Sequence, residues 1–157
     1  MHTSLFYTLA ATVIHIGVTS AASYAGSSTD GKALSMIEIV QRLEHDGYGP
    51  FTELSMDDGH WEVEVRKQDE SLELIVDPIS GNVLSHHRDD AERTPPSDAM
   101  PLSVLLQTIS ERGSYKQFDE VSFEHRYWEV EVYKDGQKRE LHVDPMTAKV
   151  IADRIDN

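Results

Sequence analysis

The chain has 157 residues, no cysteine, and 28 acidic against 14 basic residues, for a formal net charge of −14. Without cysteine there is no disulfide stapling, no thiol catalysis and no Cys-ligated zinc. The acidic balance works against nucleic acid and anionic lipid, whose binding relies on phosphate neutralisation by Lys and Arg, and favours basic proteins, basic peptides and cations as partners.

Leu5 to Val18 is a run of apolar and small residues interrupted only by Thr8, Thr12 and His15, and small residues follow through Ala25. A membrane span needs about 20 apolar residues, so residues 1–25 are expected to be a secretory signal peptide, cleaved after Ala22 or Ala25. Met1-His2-Thr3-Ser4 carries no Lys or Arg, which leaves an uncleaved N-terminal anchor as the alternative. Export implies a periplasmic or secreted protein, and a short polar leader, residues 26–33, is expected to be disordered.

Met36, Ile39, Val40 and Leu43 follow the i, i+3, i+4, i+7 spacing of an amphipathic helix, which Gly47 and Gly49-Pro50 end. Phe51 to Met56 reads as a strand, Asp57-Asp58-Gly59 as a hairpin turn, and His60 to Lys67 as a strand with Trp61, Val63 and Val65 on one face. After a polar turn, Leu72 to Val76 points Leu72, Leu74 and Val76 to the core. Asp77-Pro78-Ile79-Ser80-Gly81 is a turn, since Pro donates nothing to a ladder and Gly81 accepts positive φ, and Asn82 to His86 is a short last strand.

Residues 88–100, with Pro95-Pro96 and a run of charges, read as a solvated linker. The same order then returns. Pro101 suits a first helical turn, Leu102, Leu105, Leu106 and Ile109 mark a second helix stopped at Gly113, and strands follow at Phe118 to Phe123, Tyr127 to Lys134, Glu140 to Val143 and Lys149 to Ala152. Trp61 to Pro78 matches Trp128 to Pro145 at 11 of 18 positions, displaced by 67 residues. One structural unit has been made twice. The expected fold is α+β: two repeats, residues 34–87 and 101–157, each one helix packed on a four-stranded antiparallel sheet whose other face is open and polar. The repeats differ in charge. Asp30 to Arg93 holds 16 acidic and 6 basic residues, net −10, and Asp98 to Asn157 holds 12 and 8, net −4.

The helix ending Leu43-Glu44-His45-Asp46-Gly47-Tyr48, then Trp61-Glu62-Val63-Glu64-Val65, then Leu74-Ile75-Val76-Asp77-Pro78-Ile79-Ser80-Gly81-Asn82-Val83, resembles the PepSY domain. That family is named for peptidase propeptides and a spore-germination protein, and its small exported members end with Val-Asp-Pro-x-Thr/Ser-Gly-x-Val. The second repeat fits from Trp128 to Val150, with Ala148 where the family has Gly. The resemblance implies a non-enzymatic domain that inhibits or regulates peptidases, or tunes the cell-surface environment, and carries over no catalytic residue. Tandem units of this shape are also similar to the beta-lactamase-inhibitory-protein architecture, in which two sheets form one binding surface.

Glu53, Glu62, Glu64, Glu73 and Asp77 are expected to project from one sheet face as an acidic plate that binds a protein or peptide, either basic or a peptidase. Neighbouring carboxylates two strand residues apart stand roughly 6.5–7 Å from each other; an open sheet offers no pocket to raise one of them for acid–base chemistry. No nucleophile elbow or phosphate-cradling glycine loop is present, so no enzyme, catalytic residue or cofactor is expected. The alternative is a periplasmic divalent-cation-binding or buffering protein using His60, Glu62, Glu64 and His86, with His87 and His142 also nearby in type; adjacent histidines on a strand point to opposite faces. The Asp-Gly turns lack the ligand series of a calcium loop. Trp61 and Trp128 are read as core anchors, and Asp77-Pro78 and Asp144-Pro145 as turn-setting pairs.

Overall fold

The computed structural model describes residues 31–90 and 92–156; the signal-peptide expectation for residues 1–25 and most of the leader lie outside them. Helix α1 (Met36–His45) starts at a capping box. Ser35 Oγ accepts from the Glu38 N–H at 3.3 Å while Glu38 Oε2 accepts from the Ser35 N–H at 2.7 Å, satisfying two amides that the helix itself leaves open. Its buried stripe is Met36, Ile39, Val40 and Leu43. Helix α2 (Leu102–Gly113) begins after Pro101 without a side-chain cap, buries Leu102, Leu105, Leu106 and Ile109, and ends at Ser114 in the left-handed conformation.

Four strands follow each helix: β1 (Phe51–Asp57), β2 (His60–Lys67), β3 (Glu70–Val76) and β4 (Val83–Arg88), then β5 (Gln117–Glu124), β6 (Tyr127–Lys134), β7 (Gln137–Val143) and β8 (Val150–Ile155). All neighbours are antiparallel. The expectation of two repeats, each with its own four-stranded sheet, is corrected here. The strands form one eight-stranded sheet in the order β4-β3-β2-β1-β5-β6-β7-β8, with only two helices among the described residues, which are mostly β. The cause is the bare edge of β1 in each repeat. An unpaired strand edge exposes a row of N–H and C=O groups, and β1 and β5 satisfy each other's row. Leu54 pairs with Val121, its own counterpart 67 residues on, while Glu53 pairs with Ser122 and Ser55 with Glu120. The junction is therefore self-complementary, as an interface about a two-fold axis is.

Both helices lie on one side of this sheet, where they touch each other and where Ser103 of α2 donates to Glu44 of α1. Beneath them a single core joins the repeats: Leu54, Val63, Leu74, Val121, Val130 and Leu141 are fully buried. A bulge in β1 between Phe51 and Glu53, repeated in β5 between Phe118 and Glu120, resets the alternation. Strict alternation from Phe51 would turn Glu53 into the core; the extra residue, Thr52, delivers it to the open face instead. β4 extends to Arg88, which pairs with Glu70, and Pro95 of the following segment is buried.

The Asp-Pro turns are alike in both repeats. Asp77 Oδ1 accepts from the Ile79 and Ser80 amides and the Ser80 hydroxyl at 3.1, 2.6 and 2.8 Å, and Asp144 Oδ1 does the same with Met146 and Thr147 at 3.0, 2.8 and 2.8 Å. Gly81 and Ala148 both adopt positive φ, +68° and +54°, so replacing Gly by Ala has kept the turn's geometry.

Candidate functional site

The sheet face away from the helices is built by the outward residues of all eight strands. Cross-strand register arranges them in two rows. One runs His87, Glu73, Glu64, Glu53, Ser122, Glu129, His142 from β4 to β7. The other runs Ser85, Ile75, Glu62, Ser55, Glu120, Glu131, Glu140, Arg154 from β4 to β8. Eight glutamates of this face form duplicated pairs, four per repeat and 67 residues apart: Glu53 and Glu120, Glu62 and Glu129, Glu64 and Glu131, Glu73 and Glu140; Glu124, opposite Tyr127, lies on it too.

The carboxylates were thus duplicated and kept; the cations among them were not. In the second repeat Lys138 Nζ lies 2.5 Å from Glu131 and 3.0 Å from Asp119, which hold its pKa above the ordinary lysine value. Arg154 Nη1 lies 3.7 Å from Glu140, and His142 lies between Glu129 and Glu140; Arg139 pairs with Asp153 at 2.5 Å on the helix side. The first-repeat counterparts of the open-face Lys138, His142 and Arg154 are Ser71, Ile75 and His87. Among the described residues no Lys, Arg or His pairs with Glu53, Glu62 or Glu64, and Glu73 meets only His87, at 3.0 Å. Lys138 and Arg154 are thus cations that the second repeat has on this face and the first repeat lacks.

Its electrostatic consequence is strongest at Glu64. Burial first, then the charges of Glu53, Glu92 and Asp89, push its pKa up to about 7 against the Thr52 hydroxyl, which lowers it. Burial and the neighbouring Glu120, Glu92, Glu124 and Glu62 also raise Glu53. Across the junction Glu120 is raised by burial and by Glu131, and Glu129 by burial and by Glu140, with His142 opposing. Like charges desolvated side by side disfavour joint ionisation.

Of the residues singled out in the sequence, the structure brings Glu53, Glu62, Glu64 and Glu73 together on the open face. Asp77 follows β3, but its carboxylate is taken up by its own turn, and those hydrogen bonds hold its pKa below the ordinary value. His60, Glu62, Glu64 and His86 are not brought together. His60 shares the open face of β2, whereas His86 opposes Leu74 and so lies on the helix side. Trp61 and Trp128 are buried with their indole N–H groups unpartnered, Trp128 edge-on to Phe123 at 5.2 Å. A group missed in the sequence forms where β6 meets β7: Glu129, Glu140 and His142. Alternation and the shared Val-Asp-Pro register would have placed His142 beside Glu129, had the two been considered across strands. On the helix side, a cleft of about 380 Å³ is lined by Tyr48, Pro50, Phe51, Pro95, Met100 and Trp128, with Glu44 its only carboxylate; it offers no paired acid and base. No helix among the described residues is long and apolar enough to cross a membrane.

Residues 7–87 and 89–154 each match the family model described as the peptidase propeptide and YPEB domain. No curated protein matches the chain. Among solved structures, it is similar to a candidate lipoprotein from Clostridium difficile 630, at 11% identity and TM-score 0.45 over 74% of this chain and 88% of that one. It is also similar to a BLIP-like protein from Bacteroides fragilis NCTC 9343, at 12% identity and TM-score 0.30 over 80% and 89% of the two chains. The two family matches divide the chain where the internal repeat divides it, and together they cover nearly all of it: the chain belongs to the PepSY family of peptidase propeptide and YPEB domains, in tandem.

Proposed function

We propose that this protein is an exported, non-catalytic binding module that regulates a peptidase, or another extracytoplasmic protein, by docking a basic surface of its partner on the open face of the sheet. On this proposal residues 1–25 direct export, residues 34–87 and 101–157 are the two PepSY units, and the segment between them, 88–100, links them. The observation that carries the proposal is the uncompensated set Glu53, Glu62 and Glu64, with Glu73 beside them, on a face that continues unbroken across eight strands. Two carboxyls held above their ordinary pKa by burial first and by neighbouring carboxylates second are destabilised as anions, and a Lys or Arg brought against them offsets both effects. The family's description, which names peptidase propeptides, supports a peptidase as the partner class. Asp77 drops out of the proposed contact set because its carboxylate is committed to the turn.

Affinity capture from envelope extract, at low and at physiological salt, tests this. The wild-type chain should retain a defined basic protein, more strongly at low salt, and a variant with Glu53, Glu62, Glu64 and Glu73 all changed to Gln should lose it. Equal capture by both chains would refute the acidic-face mechanism.

A further inference from the structure

Glu129 on β6 and Glu140 and His142 on β7 offer three ligand atoms that all lie within 4.8 Å of one another. His142 Nε2 stands 2.9 Å from Glu140 Oε1 and 3.5 Å from Glu129 Oε2. Nitrogen and oxygen ligands bound at about 2.1 Å to one ion are about 3.0 Å apart when cis in an octahedral shell and about 3.4 Å apart in a tetrahedral one. The spacings of 2.9 and 3.5 Å lie close to the range that ligands of one such ion span, the shorter being a hydrogen bond that the ion would replace. The imidazole is also held in place: its side chain is 14% exposed, and its ring stacks on Tyr127 with centroids 4.2 Å apart and planes 19° from parallel. Nε2 therefore faces both carboxylates, on a rigid pair of central strands, with one side open to water.

We propose that Glu129, Glu140 and His142 bind a divalent metal ion of the zinc class, each through one atom, with water completing the shell. The imidazole nitrogen selects this class over calcium and magnesium, which take oxygen ligands. Arg154, whose side chain is 66% exposed, lies 3.7 Å from Glu140 Oε1 and swings into solvent when the ion enters. The first repeat is the internal control. It keeps both carboxylates as Glu62 and Glu73 but has Ile75 in place of His142, so no nitrogen ligand stands at that position, while His60 takes the place of Tyr127. The site lies in the repeat opposite to the uncompensated glutamates and does not depend on the docking proposal.

The test is calorimetric titration of the full chain with ZnCl2 and with CaCl2, comparing wild type with His142→Ile and Glu129→Gln. His142→Ile installs the residue that the first repeat already carries, and Glu129→Gln preserves size and polarity. The wild type should bind one zinc equivalent that each variant binds at least about tenfold more weakly. Zinc should raise the melting temperature of the wild type but not of the variants, and X-ray absorption should report one imidazole in the first shell. The chain has 8 histidines, so zinc bound equally by wild type and either variant would place the metal elsewhere and overturn the proposal. Zinc binding weaker than about 1 mM, or calcium bound as tightly as zinc, would overturn it too.

Discussion

Replacing Glu64 by Gln should stabilise the protein above pH 7 and leave it unchanged below pH 5. In the folded chain this carboxyl titrates at about 7, against an ordinary value of 4.5 that an unfolded chain retains. Between those two pH values the folded state holds a proton that the unfolded state has released, so stability is greatest below about pH 4.5 and falls as pH rises to about 7. At about 1.4 kcal/mol per pH unit the ceiling of the loss is ~3.5 kcal/mol. Glu64 is only partly buried, and solvent screening reduces the expected loss to about 1 kcal/mol. Gln has no charge to desolvate beside Glu53, keeps an acceptor for the Thr52 hydroxyl (3.4 Å from Glu64 Oε2), and removes the loss altogether. The variant should therefore melt roughly 3–5 °C above wild type at pH 8 and together with it at pH 5. Thermal and urea unfolding of both chains at the two pH values measure this. Parallel behaviour of the two chains from pH 5 to 8, or a variant less stable at pH 8, would show that Glu64 is not held as a destabilised anion and would remove the electrostatic basis of the docking proposal.

Leu54→Ala, at the fully buried residue where the repeats join, should cost about 3 kcal/mol in urea unfolding, and a loss under about 1 kcal/mol would mean that the β1–β5 junction does not hold the sheet together. Gly81→Ala should destabilise by about 1–2 kcal/mol although Ala148 stands at the equivalent position, because the new methyl would lie 2.8 Å from Arg42 Cδ and 3.1 Å from Leu34 Cδ1 at φ +68°. Lys138→Gln removes the cation set between Glu131 and Asp119 and should give the second repeat's face the character of the first. Capture of the basic partner at low salt should rise, and unchanged or weaker capture would argue against charge as the recognition principle. Tyr115→Phe, which deletes the 2.9 Å hydrogen bond to Asp153, should cost about 1 kcal/mol in chemical denaturation.

Much of the site was readable before any coordinates. The alternation in His60 to Lys67 places Glu62 and Glu64 opposite Trp61, Val63 and Val65, because successive side chains on a strand point to opposite faces. Glu53 shows where this ran out. Its face depends on the Thr52 bulge, an insertion that is visible only when Glu53 is seen opposite Glu64. Asp77 and His86 fail for related reasons. The carboxylate of Asp77 satisfies amides of its own turn, which a residue-by-residue reading of sheet faces does not consider. The face of His86 is set by its pairing with Leu74 on β3.

What the amino-acid order determined alone is local: two amphipathic helices, eight strands with an apolar and a polar face each, two Asp-Pro turns, and the identity of the duplicated carboxylates. These follow from side-chain periodicity and turn chemistry, which act over a few residues. Only the tertiary structure decided that the two sheets are one, because backbone hydrogen bonds across β1 and β5 carry no side-chain signature and any bare edge of matching shape can accept them. That pairing makes the eight glutamates one surface. Pairing of β6 with β7 sets His142 between Glu129 and Glu140, and the first repeat, with Ile75 at that place, has no histidine between Glu62 and Glu73.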